Sequence, residues 1–189
     1  LSTRWADRPP TRTPLVNYIA TQYRACPGNY LAFFSSFDYL QQALEAFVAS
    51  HPDVPVWAQS RAMGEPQRDA FIARFEADGR GIGFAVLGGA FGEGIDLPGT
   101  RLVGAFIATL GLPPVNPVNE RMRERLHALS GHGWEDTYLV PGLQKVVQAA
   151  GRVIRTPDDQ GTVVLMDDRF GQAEVRGLLP SWWPTQAGA

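Results

Sequence analysis

The sequence predicts an α/β domain built on an open, mainly parallel sheet with helices on both faces. Three observations carry that expectation. Short apolar runs alternate along the chain with segments of helical spacing, which is the order of βα units. The runs are bounded by glycine, proline, asparagine or serine, as strands are. Finally, 189 residues of which 44% are hydrophobic suffice for one sizeable core.

The elements follow in order. Residues 1 to 13, with Pro9-Pro10, read as an extended lead-in or linker, leaving 14–189 as the domain. Thr13-Pro14 opens a helix whose Leu15, Tyr18, Ile19 and Cys26 share a face, and Pro27-Gly28 stops it. Tyr30 to Phe34 is a strand, and Ser35-Ser36 caps a helix carrying Tyr39, Leu40, Leu44, Phe47 and Val48. A strand at Val54 to Ala58, a helix from Pro66 to Ala77 and a strand at Gly83 to Leu87 come next. A glycine-rich loop from Gly88 to Gly99 leads to a strand at Leu102 to Leu110 and a helix from Asn116 to Leu129. The region from Ser130 to Thr137 reads as loop, Pro141 to Arg155 as the last helix and Thr162 to Met166 as the last strand, followed by a tail with Trp182-Trp183 packed on the domain. In such a sheet ligands sit at the carboxyl ends of the strands.

Composition excludes some classes. A net charge of −2 gives no global basic signal, so a nucleic-acid surface must be local. Lys145 is the only lysine, which leaves phosphate gripping to arginine forks. Cys26 stands alone, so no disulfide and no cysteine-ligated metal or iron–sulfur site forms within the chain, and a buried inert thiol is expected. No apolar run is long enough to span a bilayer and no signal peptide pattern opens the chain, so a cytoplasmic setting without a membrane is expected. The first residue is leucine, an indication of an upstream extension. His51, His127 and His132 lack metal-ligand spacing and read as surface residues, and no metal site is expected.

Two segments carry chemistry. In Gln148-Ala149-Ala150-Gly151-Arg152-Val153-Ile154-Arg155, the spacing puts Gln148, Arg152 and Arg155 on one helical face able to reach a phosphate, with Gly151 leaving room for close approach. The same pattern also describes a solvated amphipathic helix. In Gly89-Ala90-Phe91-Gly92-Glu93-Gly94-Ile95-Asp96, glycines expose backbone N–H groups as an anion-binding concavity beside the carboxylates of Glu93 and Asp96.

Together with Gly28 to Ser36, Gly111-Leu112-Pro113-Pro114, Asp168-Arg169-Phe170 and Leu179-Pro180-Ser181-Trp182, these segments resemble, in order, the C-terminal RecA-like lobe of XPD/DinG-type superfamily 2 helicases. The resemblance covers most of residues 14 to 183. It implies a P-loop NTPase-like fold without the P-loop. It further implies that Gln148, Arg152 and Arg155 act on ATP, that Glu93, Gly94, Asp96 and Gly151 line the nucleotide, and that Ser35, Ser36 and the Gly89, Ala90, Phe91, Gly92 backbone hold single-stranded DNA. Ser36 has a second reading, as an ordinary N-cap. Gln59-Ser60 is a looser match to a DNA contact, and Asp168 with Arg169 reads either as a ligand pair or as an ion pair at the strand end.

What is missing bears on activity. No Gly-x-x-x-x-Gly-Lys-Ser/Thr segment and no Asp-Glu-x-His box occurs, so the main cradle of ATP and Mg²⁺ lies elsewhere; the resemblance implies a first RecA-like lobe outside this sequence. In the resembled family that lobe also carries an iron–sulfur insertion. The expectation is a second motor lobe of an ATP-dependent DNA helicase of DNA repair, translocating 5′ to 3′, inactive as an isolated fragment. The alternative is a non-catalytic RecA-like docking module for nucleic acid or protein.

Overall fold

The six residues of β1 (Asn29–Phe34) are all buried, which places this strand at the centre of the sheet. A computed structural model describes residues 1–89, 91, 95–154 and 161–183. Among them β2 (Val56–Ala58), β3 (Gly81–Val86), β4 (Gly104–Ala108) and β5 (Thr162–Leu165) join β1 in the order β2-β3-β1-β4-β5, every pair parallel. Central strands of a parallel sheet read as unbroken apolar runs because both faces are covered, and β1, β3 and β4 do.

The pleat sorts β1 between two cores. Leu31 and Phe33 join the cluster of Phe71, Phe75, Leu143 and Val146, whereas Tyr30, Ala32 and Phe34 join that of Leu15, Ile19, Tyr39 and Phe47. Helices α1 (Arg8–Ala25) and α2 (Phe37–Ser50) therefore cover one face, and α3 (Glu65–Ala73) and α5 (Val140–Ala150) the other. Phe34 and Phe84 stack with centroids 5.5 Å apart and planes 8° apart, and Phe47 meets Phe84 edge-on. The α/β sheet with helices on both faces is thus as the sequence predicts.

Several elements differ from the reading of the sequence. Helix α1 begins at Arg8, not after Thr13. Pro9 and Pro10 occupy its first turn, where a missing N–H costs nothing and the fixed φ suits the helix, and Pro14 lies inside it. Residues before α1 are not a free lead-in either, for Thr3 is buried. Cys26 is exposed at the end of α1 and not a buried thiol; its carbonyl accepts from the Tyr30 hydroxyl at 2.6 Å.

The region read as loop between Ser130 and Thr137 holds regular structure. Helix α4 (Pro117–Ser130), capped by Asn116, ends at left-handed Gly131, and a π-helical turn over Glu135–Leu139 then runs straight into α5. The Tyr138 hydroxyl donates to Glu120 at 2.6 Å, tying that turn to α4, and Arg123 pairs with the same carboxylate. Helix α5 stops at Ala150, short of Arg155. The tail forms a 3-10 turn at Asp168–Gly171 and α6 (Ala173–Gly177); Trp183 packs on the core, but Trp182 does not, being 67% exposed.

Replacing Phe84 with Ala should cost about 3–5 kcal/mol, because it removes the ring against which Phe34 and Phe47 pack. Denaturant unfolding checks this; a loss below about 1 kcal/mol would show that the core is not built around that stack.

Candidate functional site at the carboxyl edge of the sheet

The strand order places β1 next to β4, and the two strands lead to connections that depart in opposite directions, β1 toward β2 and β4 toward β5. The crevice outside their carboxyl ends is where ligands of open α/β sheets bind. Ser35-Ser36, Leu87 to Gly89, Thr109 to Gly111 and Asp167 to Arg169 all emerge on this edge. The Leu87 N–H donates to the Phe34 carbonyl at 2.9 Å, so the loop after β3 starts beside the end of β1.

Ser36 caps α2, its hydroxyl oxygen accepting from the Tyr39 N–H at 3.2 Å. That satisfies the capping role and leaves the hydroxyl proton for another acceptor. Ser35 is exposed and its oxygen accepts from Arg8 Nη2 at 2.8 Å. Arg8 lies 4.2 Å from the Tyr39 ring centroid and donates through Nε to the Thr3 carbonyl at 3.1 Å. Tyr39 is buried, and burial pushes its phenol up while Arg8 opposes that.

The glycine loop begins at Gly88, whose φ of 74° suits glycine, and there the Lys145 stem lies so close that a Cβ would stand 2.9 Å from its Cδ. Gly89 follows, its N–H donating to the Val86 carbonyl. The Phe91 side chain is fully buried, 4.2 Å from the Phe71 ring, so only its backbone is available to a strand. Ala90, Gly92, Glu93 and Gly94 lie outside the described residues. Ile95 and Leu97 are buried, and Asp96 between them is exposed.

Arg152 meets this loop. Its Nη1 donates to the Ile95 carbonyl at 3.4 Å, across 57 positions of sequence. Helix α5 ends at Ala150, so Gly151, with helical backbone, caps it and Arg152 lies in the turn that follows, held by its N–H to the Ala149 carbonyl at 3.1 Å. Gln148 is exposed in the last turn of α5, and Gly151 is exposed with ordinary helical φ. Arg155 lies outside the described residues. Gln59 turns inward to accept from the Val86 N–H at 2.9 Å, so its amide secures the β2–β3 edge.

Sequence reasoning missed Asp167. It is buried, and its carboxylate accepts from Arg169 Nε and Nη2 at 2.7 and 2.8 Å, from the Arg169 N–H at 2.9 Å, from the Thr3 N–H at 3.1 Å and from the Thr3 hydroxyl. Burial pushes this carboxyl up, but the hydrogen bonds from Arg169 and Thr3 outweigh it and hold the group down at about 2. Arg169 thus serves an ion pair at the strand end, with Asp167 as its partner, while Asp168 pairs with Arg4 at 2.8 Å. The sequence signal was an Asp-Asp-Arg run at a strand end, which does not say which carboxylate turns inward. Among the described residues no three His, Cys, Asp or Glu side chains gather as a metal cage, and no helix is long and apolar enough to cross a membrane.

A family described as the helicase C-terminal domain matches residues 19–186. The chain belongs to that family. Among its relatives is the regulator of telomere elongation helicase 1 of Bos taurus, 32% identical over 178 residues, which cover 84% of this chain and 15% of that protein. Another is the ATP-dependent DNA helicase chl1 of Schizosaccharomyces pombe, 26% identical over 177 residues, 82% of this chain and 20% of that one. The chain thus spans 15–20% of the length of these curated relatives. Of solved structures, one described as an XPD helicase matches with a TM-score of 0.69 at 23% identity over 87% of this chain and 29% of its own. Xpd4 of S. tokodaii matches with a TM-score of 0.68 at 17% identity over 96% of this chain and 35% of its own. The helicase C-terminal domain is therefore of the XPD/DinG type and its fold is RecA-like.

Asp167→Asn should cost about 3 kcal/mol, because the half-buried Arg169 would lose its charged partner and the buried carboxylate that gathers the Arg169 and Thr3 donors would be gone. The depressed pKa means that the contribution of Asp167 is whole above about pH 4 and is lost as pH falls toward about 2. Unfolding between those values checks both points: the variant should show less acid dependence than the wild type, and equal dependence would contradict the clasp.

Proposed function

We propose that this chain is the second motor lobe of an ATP-dependent DNA helicase, supplying arginines to ATP at an interlobe cleft and holding single-stranded DNA during 5′ to 3′ translocation. The observation that carries the reading is the approach of Arg152 to the Ile95 carbonyl, which joins the two segments of phosphate chemistry at one edge of the sheet. Belonging to the helicase C-terminal domain family supports it.

The fit to nucleotide is that of half a site. Phosphoryl transfer needs a cation over the transferring group, a group that orients water, and a metal with its own ligands. Arg152 and Arg155 supply the first and Gln148 the second, while Asp96 braces an arginine or meets the ribose. Glu93, Gly94 and Gly151 are the further nucleotide contacts of this reading. The phosphate loop and the Mg²⁺ ligands belong to a first lobe of the same parent polypeptide, with which this chain closes around ATP. An iron–sulfur cluster, if the parent holds one, resides there as well.

Strand contact fits the other part of the edge. Ser36 and Ser35 keep hydroxyl protons for phosphate, and the N-terminus of α2 presents N–H groups with the favourable end of its dipole. In this reading the backbone of Gly89, Ala90, Phe91 and Gly92 also contacts the strand. Such contacts position a strand without reading its bases. The cytoplasm is the compartment of this reading.

In the two-lobed parent, Arg152→Ala should cut ATP turnover by about a thousandfold while ATP affinity changes far less, since the side chain acts on charge that develops in the transition state. Arg152→Lys should rescue poorly, because an ammonium cannot reproduce the planar fork. Steady-state turnover and nucleotide titration read the two effects separately. Near-normal turnover in a folded Arg152→Ala protein would remove this arginine from the site.

A further inference from the structure

We infer that Arg8, which lies outside the residues matched by the family, is a phosphate-contact residue of the strand-binding edge, held in place by the clasp between Thr3 and Asp167. The inference deepens the strand reading above and rests on it.

The other arginines whose ion pairs are seen on this domain have carboxylates: Arg4 has Asp168, Arg24 has Asp53, Arg61 has Asp38, Arg123 has Glu120 and Arg169 has Asp167. Arg8 is paired with no carboxylate among the described residues. Its guanidinium is held by three neutral groups: the Thr3 carbonyl on Nε at 3.1 Å, the Ser35 hydroxyl on Nη2 at 2.8 Å, and the Tyr39 ring at 4.2 Å. A stacked, hydrogen-bonded guanidinium is pre-organised, so little rotamer entropy remains to be lost on binding an anion. Its charge is uncompensated, and its remaining N–H donors have no protein acceptor among the described residues.

The direction in which that charge acts is set by Ser35. A phosphate that accepts from the Ser35 hydroxyl comes within reach of the arginine already bonded to that oxygen. The two donors then grip one phosphate from two sides, a charge-assisted contact stronger than the Ser35 hydroxyl alone. Behind Arg8 the Tyr39 hydroxyl is buried with no partner, and Arg169 adds a second positive charge nearby, although Asp167 already neutralises it.

Placement comes from the clasp. Thr3 donates through its N–H and its hydroxyl to Asp167, and the Thr3 carbonyl then receives Arg8 Nε. The Asp168 N–H donates to the Leu1 carbonyl at 2.6 Å and continues the attachment. The chain entering the lobe is therefore fastened to the end of β5 and delivers its cation to the end of β1.

The test measures binding of a short fluorescent oligothymidylate by this chain across a range of salt. Arg8→Ala, Arg8→Gln and Arg8→Lys are compared with the wild type, and circular dichroism monitors folding. Loss of one phosphate contact should reduce the slope of log K against log salt by about 0.7 in Arg8→Ala and Arg8→Gln, and weaken binding roughly fivefold, while Arg8→Lys keeps the slope. A purely structural arginine would shift thermal stability and leave the slope unchanged. Should Arg8→Ala fail to fold, Arg8→Gln, which keeps the stem and an amide donor, decides the matter. Wild-type slope in the neutral variants would overturn the role of Arg8 and leave the strand reading standing. Absence of salt-dependent binding by the wild type would overturn the strand reading and this inference with it.

Discussion

Parallel pairing on both sides of β1 is the constraint from which the rest of the edge follows. Phe34 is in register with Val86 of β3 and with Ala108 of β4, so three strands end at one level. A shift of one residue would turn Phe34 out of the cluster with Tyr39 and Phe47 and bring Phe33 into it, and both cores would lose their faces at once. Because the register is fixed by burial, the loops after these strands emerge together. Ser35, Leu87 and Thr109 stand side by side for that reason, with no contribution needed from the loops.

Two loops use glycine where a side chain could not go. Gly88 lets the Lys145 stem lie on the turn after β3. Gly111, with φ of 69°, lets the turn after β4 press on the Gly142 carbonyl, 2.8 Å from where a Cβ would stand. These close approaches draw α5 against the ends of β3 and β4. The turn that follows α5 consequently delivers Arg152 to Ile95.

The order of strands and helices was legible in the sequence because burial on both faces gives β1, β3 and β4 continuous apolar runs, and because Ser36 and Asn116 cap their helices by a local rule. The joining of the glycine loop to Arg152 was legible only as a resemblance between segments. What stayed hidden depends on contacts made at long range. The start of α1 at Arg8 is one case, for a run with three prolines reads as extended until its first turn is seen tied to Thr3 and Ser2. The inward turn of Asp167 is another: two adjacent aspartates on a strand end look alike, and only the position of Thr3 separates the buried one from the one exposed to Arg4. The end of α5 at Ala150 is a third, since the sequence periodicity runs on to Arg155 while after Gly151 the backbone tightens, the Arg152 N–H donating to the Ala149 carbonyl. Cys26 is exposed as the cap residue after α1, where the backbone has left the helix and no longer holds it on the face of Ile19.

Electrostatics divides the edge into a neutralised part and a part still charged. At the β5 end Asp167 balances Arg169, and Asp168 balances Arg4. Toward β1 the guanidinium of Arg8 has neutral partners. A surface so divided suits an anion laid across β1 and β3, with the proposed nucleotide contacts on the side of Arg152. The central claim is that the nucleotide side is half a site. Its most direct test is ATP turnover with Mg²⁺ and single-stranded DNA, measured on this chain alone and again when it is joined in one polypeptide to the first lobe of its own parent. The account predicts background turnover alone and DNA-stimulated turnover when joined. DNA-stimulated hydrolysis by the chain alone, or none in the joined protein, would contradict it.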